Sequence, residues 1–206
     1  MKFNRKAFFD DYKGRFGTIT NQRAVDGLTF LLGEIEKDDG FIMIREVAYF
    51  LATIKGETGI FHPLQEKRAS RINQPKLWET QNRYWNTGFY GRGYVQLTWE
   101  NNYLRAGKKL VGLKMKKTDD TEITIAEKTF VQNADLVMQP EAAYLIASRG
   151  MKEGWFTTKK LSDYIKQGQP PDYVGARKII NGTERANMFA DFASKFELIL
   201  RASNTN

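Results

Sequence analysis

Ile44-Arg45-Glu46-Val47-Ala48-Tyr49-Phe50-Leu51-Ala52-Thr53-Ile54-Lys55-Gly56-Glu57-Thr58-Gly59 carries Val47, Phe50, Leu51 and Ile54 at the i, i+3, i+4, i+7 spacing of a buried helix face. Three residues beyond Ile54 stands Glu57, so a carboxylate continues the apolar stripe near the C-terminal end of its helix, and Gly59 is placed to end that helix. Partial burial and the negative end of the helix dipole both oppose ionisation, which suits a general acid. The same position also fits a side chain turned to solvent at a frayed helix end.

Upstream, Phe3 to Phe16 and Gln22 to Glu36 carry apolar residues at helical spacing; Thr20 or Asn21 is placed to cap the second segment, and Asp38-Asp39-Gly40 breaks it. Downstream, Lys67 to Asn86 is polar and aromatic without a clear period and reads as loop and short helix. Tyr94 to Thr98 reads as a short strand. Thr124 to Val137, Pro140 to Lys152, Thr158 to Ile165 and Thr183 to Ala202 read as helices. The predicted fold is mainly α, with at most a small β-hairpin or sheet. The 206 residues, 41% of them hydrophobic, suffice for one sizeable core. One domain is therefore expected over 1–206, with a core at 44–202 and the helical region 1–43 packed on it.

There is no cysteine and a single histidine, His62. A disulfide framework and a thiolate nucleophile are excluded, and a reducing compartment is expected. One histidine cannot build a multi-histidine zinc site, so no metal or cofactor is expected and carboxylates are the candidate acid and base. The net charge of +8 fits either a polyanionic partner or a solvated surface. Basic and acidic residues are interspersed without a nucleic-acid-binding signature, so nucleic acid is not the expected partner. Met1 to Asp11 lacks the apolar run of a signal peptide and no segment approaches a membrane span, so neither an export signal nor membrane insertion is expected.

A second carboxylate, Glu66, follows the turn at Phe61-His62-Pro63 and is flanked by Lys67 and Arg68, cations that favour its ionised form. Two carboxylates whose surroundings push their proton affinities apart suit the acid and base of glycoside hydrolysis. Glu79 competes for the base role. Gly91-Arg92-Gly93-Tyr94-Val95-Gln96-Leu97-Thr98-Trp99-Glu100-Asn101-Asn102-Tyr103 has the glycines, amides and aromatics of a polar cleft. In a strand, Gln96 and Thr98 would share one face while Val95 and Leu97 meet the core. Thr98 could hold a water, and Gln96 and Asn102 could read sugar hydroxyls and acetamido groups. Trp78, Tyr84, Trp85, Tyr90 and Trp99 surround this run in sequence; Tyr90 and Trp99 are the candidate sugar platforms, although such rings serve equally as core.

The run Gly91 to Trp99 with Asn102-Tyr103 closely resembles the signature of the family 19 glycoside hydrolases, the plant-type chitinases and related bacteriophage endolysins. Ala48 to Thr53 followed by Glu57-Thr58 resembles the family's helix ending in its catalytic acid. Pro63-Leu64-Gln65-Glu66 resembles the segment carrying the base, and Ile179-Ile180-Asn181-Gly182 resembles its asparagine turn. Gly154-Trp155-Phe156 and the N-terminal region resemble the phage and bacterial branch. The resemblance implies a lysozyme-like, two-lobed helical fold with a central cleft. It makes Glu57 the acid, Glu66 the base and Thr98 the water holder, with Gln96, Asn102 and Asn181 on the sugar. Inversion at the anomeric centre would set the two carboxyl groups about 6.5–9.5 Å apart. Glu184, paired with an arginine, would support the acid; Arg177 and Arg185 both qualify, and Arg92 is a further supporting candidate. The family's histidine before the acid is here Gly56. Chitin and peptidoglycan share the β-1,4-linked N-acetylated backbone. Positive charge, absence of cysteine and the phage-branch resemblance favour peptidoglycan, cut by a monomeric endolysin held in the host cytoplasm until released to the wall. A chitinase and a catalytically silent glycan-binding module are the alternatives.

Overall fold

The computed structural model describes residues 1–205. In chain order its elements are α1 (Arg5–Phe16), α2 (Gln22–Ile35), α3 (Ile44–Thr58), β1 (Leu64–Gln65), α4 (Pro75–Asn82), β2 (Arg92–Gly93), α5 (Glu100–Leu110), β3 (Lys114–Lys116), β4 (Glu122–Thr124), α6 (Thr129–Gln132), α7 (Pro140–Glu153), α8 (Leu161–Tyr164) and α9 (Ala186–Ser203). The mainly helical class with small sheets is as predicted. The chain divides into two compact units, residues 1–62 with 148–206 and residues 63–147.

In the first unit α3 is central. Every residue from Val47 to Ile54 is at most 1% exposed, so burial extends around the whole helix, beyond the stripe visible in the sequence. Its start is fixed by Glu46, whose carboxylate accepts from the backbone N–H of Ile42 and Met43. Its end is Gly59, at φ +70°, as predicted. Along α3 packs α9, which buries Phe189, Ala193, Phe196 and Leu200. Tyr12 and Phe16 of α1 set their rings 6.0 and 5.0 Å from Phe196. Burying each such large side chain stabilises the fold by roughly 1.5–3 kcal/mol. Asn21 is the residue that caps α2.

The second unit is built around Tyr94, Tyr103, Leu110, Met115, Phe130 and Val137. β1 and β2 pair antiparallel, with Leu64 opposite Gly93 and Gln65 opposite Arg92. β3 and β4 form a separate antiparallel pair.

Three expectations are corrected here. Tyr94 to Thr98 is a tight turn, because Arg92 and Leu97 exchange backbone hydrogen bonds of 3.2 and 2.9 Å while Gln96 takes φ +53°. Residues 124–137 are not one helix. Thr124 is paired with Lys114 in the sheet, and an extended Asn133 separates α6 from a 3-10 turn at Ala134–Met138. The β-branched run Thr121, Ile123, Thr124 favours pairing there over helix. The helix expected over 158–165 contracts to α8, with Thr158 at φ +69°. Among the described residues no helix is long and apolar enough to cross a membrane.

Candidate functional site

Glu57 sits in the last turn of α3 with its side chain 18% exposed. Its Oε1 accepts a 2.6 Å hydrogen bond from Nη1 of Arg177, whose side chain is 8% exposed. The sequence leaves its supporting arginine open between Arg177 and Arg185. The guanidinium is the missing partner, and such a pairing fixes the carboxyl group's orientation. Among the described residues Oε2 accepts no protein hydrogen bond. Of the two arginine candidates, Arg177 therefore meets Glu57, while Arg185 donates to the Gly56 carbonyl at 2.8 Å. Glu184 contributes through its backbone: its carbonyl accepts from Arg177 Nε at 3.2 Å while its side chain is exposed, so the expected carboxylate support is absent.

Phe189 of α9 carries this pair. The Arg177 guanidinium lies 4.1 Å from the centre of its ring. A Cβ at position 56 would stand 2.3 Å from Phe189 Cε1, so the ring occupies the space a side chain there would need. Gly56 is thus the residue that lets Phe189 reach Arg177. Asn181 is exposed on the turn that follows Arg177, its side chain accepting from Gly182 N–H at 2.9 Å.

In the second unit Glu66 is held by neutral donors. Oε1 accepts from Tyr84 O–H and from Gln81 Nε2, each at 2.8 Å, and Oε2 accepts from Gly91 N–H at 3.0 Å. Of the cations expected to hold it, Arg68 faces elsewhere, bonding to Trp78 O, Gln81 Oε1 and Asn82 Oδ1. A carboxylate gripped by three donors has its plane fixed and keeps acceptor capacity for a water. Burial pushes the Tyr84 hydroxyl well above the usual tyrosine range, and its bond to Glu66 adds to this, so it remains a donor. Gly91 is needed for close approach, since a Cβ there would lie 2.9 Å from Gln96 Oε1 and 3.3 Å from Glu66 Oε2. Glu79 is exposed on α4.

The remaining predicted residues of this unit shape the loop around Glu66. Gln96 Nε2 donates to Leu64 O and Gly93 O, Thr98 Oγ1 to Gln96 O, and Asn102 Nδ2 to Thr98 O. Their donors are turned onto the backbone, so the shared strand face expected for Gln96 and Thr98 does not exist. Trp99 is 45% exposed and meets Tyr84 edge-on at 5.1 Å. Tyr90 stacks on Trp85 at 4.5 Å. Buried Arg92 pairs with Asp135 and donates to Gly88 O and to the Tyr103 hydroxyl oxygen, so it supports the loop. Gln81 and Phe189 were missed as site residues. Gln81 is fully buried, yet in sequence it looks like any other amide of a polar segment. Among the described residues no cluster of three metal-ligating side chains occurs.

The chain is 28% identical to an endochitinase of Arabidopsis thaliana over 167 residues, 76% of this chain and 50% of that protein. To endochitinase EP3 of the same plant it is 36% identical over 90 residues, 41% of this chain and 32% of that one. It thus spans about half, or less, of the curated relatives it matches. Among solved structures it is similar to chitinase C from Streptomyces griseus, with TM-score 0.46 and 19% identity over 98% of this chain and 95% of that chain. No family model matches it. The likeness to plant-type chitinases read from the motifs is thus found again as sequence similarity to plant endochitinases.

Proposed function

We propose that the chain is a glycosidase that cleaves β-1,4 bonds between N-acetylated amino sugars, with peptidoglycan as its substrate and bacterial wall lysis as its role. The observation that carries the reading is that both motif glutamates have dedicated partners of different kinds. Glu57 has one oxygen held by Arg177 and, among the described residues, the other without a protein partner, so the acid assigned by the motif is oriented by one oxygen and has the second free to face a leaving oxygen. Glu66 is fixed by Tyr84, Gln81 and Gly91, which suits a base that activates water. The division of labour is that of an inverting two-carboxylate hydrolysis.

Similarity to endochitinases supports the class of bond. The charge of +8 supports an anionic wall polymer. The names of the relatives favour a second reading, cleavage of chitin. Digesting purified peptidoglycan and chitin oligomers side by side, with mass spectrometry of the new reducing ends, tests both. New amino-sugar reducing ends from peptidoglycan support the reading, ends from chitin alone transfer it to a chitinase, and ends from neither defeat it. In the cell the protein would wait in the host cytoplasm until released to the wall.

A further inference from the structure

The segment 67–83 carries Lys67, Arg68, Arg71, Lys76 and Arg83 against one carboxylate, Glu79. Some surface cations elsewhere pair with acids, as Lys114 does with Glu122, Lys116 with Asp120 and Lys195 with Asp191. Here the arginines lie on aromatic rings. The Arg71 guanidinium is 5.2 Å from the Trp78 ring, and Arg68 is 5.1 Å from the same ring and 5.2 Å from that of Trp85. Trp85 stacks on Tyr90 at 4.5 Å and 17°, and Arg92 lies 3.9 Å from the centre of the Tyr90 ring. The six side chains form one ladder, from exposed Arg71 to buried Arg92. Among the described residues neither Arg68 nor Arg71 forms an ion pair. Gln81 joins the ladder to the candidate base, accepting from Arg68 at 3.4 Å through one amide atom and donating to Glu66 at 2.8 Å through the other.

Arg68 directs its donors to Trp78 O, Gln81 Oε1 and Asn82 Oδ1, and Arg92 directs its own to Asp135, Gly88 O and Tyr103, so the open edge of the ladder is that of Arg71. A guanidinium already stacked on a ring presents that edge with little further loss of freedom, and the edge matches a carboxylate. Aromatic faces beside it suit a sugar ring. We propose that this ladder is a subsite for a carboxylate-bearing substituent on the glycan, so that anionic strands are preferred to neutral ones of the same backbone. The proposal rests on the glycosidase reading and names the substrate class that reading would serve.

The test compares carboxymethyl chitin with glycol chitin, two soluble polymers differing in charge. Wild type is expected to show the higher kcat/KM on the carboxymethylated polymer. Arg71→Gln is expected to lower the ratio of the two values about tenfold, chiefly through KM, as loss of one charge-assisted hydrogen bond implies. Lys6→Gln removes the same charge from α1, where the side chain is 86% exposed, and should leave the ratio unchanged. An unaltered ratio in Arg71→Gln, or an equal fall in Lys6→Gln, overturns the ladder and leaves the glycosidase reading standing. If neither polymer is cleaved, digestion of peptidoglycan decides the glycosidase reading. Affinity electrophoresis in gels containing each polymer then decides the ladder by the same comparison of variants.

Discussion

Gly56→Ala tests the packing behind Glu57. The new methyl would lie 2.3 Å from Cε1 and 2.6 Å from Cζ of Phe189, a fully buried ring that carries the Arg177 guanidinium. Carbon atoms rest at about 3.5–4.0 Å, so the ring or α3 must give by roughly 1 Å. Overpacking of this kind costs about 1–3 kcal/mol, and so short an approach belongs at the upper end. Alanine returns about 1 kcal/mol of helix propensity. The net effect is a destabilisation of about 2 kcal/mol, which for a chain of this size lowers Tm by roughly 4–8 °C. Thermal unfolding of wild type, Gly56→Ala, Phe189→Leu and the double variant measures it. Because the smaller side chain makes room for the methyl, the double variant should be less destabilised than the sum of the single ones by about 1 kcal/mol. A Gly56→Ala protein melting at or above the wild-type temperature, or strictly additive variants, would refute the packing and the account of why glycine stands there.

Tyr84→Phe removes one donor from Glu66 and should lower kcat by about 10- to 100-fold, the range a lost hydrogen bond to a charged group allows; unchanged kinetics on a soluble glycan would remove Tyr84 from the site. Gln81→Leu buries Glu66 Oε1 and the Ala69 N–H without their amide partner, so urea unfolding should show a loss of about 2 kcal/mol or more. Glu36, whose carboxylate accepts from Arg5 and Phe3 N–H, titrates in the fold below its ordinary 4.5, chiefly through the Arg5 bond. A lowered folded value means that the stabilisation is complete above pH 4.5 and is lost as the pH falls through that lowered value. Urea midpoints of wild type and Glu36→Gln should therefore converge in acid, and a gap of constant size down to pH 2 would contradict the assignment.

The helical part of the fold was legible because its signal is local. α3 and α2 announce themselves by period, the start of α2 by a cap at Thr20 or Asn21, and the end of α3 by Gly59. What could not be read was structure decided by partners distant in sequence. Thr124 becomes a strand because Lys114 lies opposite it, and Tyr94 to Thr98 becomes a turn because Arg92 and Leu97 close on each other. The site divides in the same way. Glu57 and Glu66 were visible from their neighbours and motifs, whereas the arginine on Glu57 was narrowed only to Arg177 or Arg185 and the partners of Glu66 were not visible. Arg177 lies 120 residues beyond Glu57, and Gln81 and Tyr84 lie 15 and 18 beyond Glu66. Gly56, which stands where the family it resembles has histidine, is in three dimensions an opening filled by Phe189 from α9.

The most direct measurement of the central claim is early-time proton NMR of soluble β-1,4 glycan strands incubated with wild type, Glu57→Gln and Glu66→Gln. Wild type should release new reducing ends first as the α anomer, and each glutamine variant should lose cleavage by at least about 100-fold. Initial release of the β anomer, or cleavage undiminished in either variant, would contradict the assignment of Glu57 as acid and Glu66 as base.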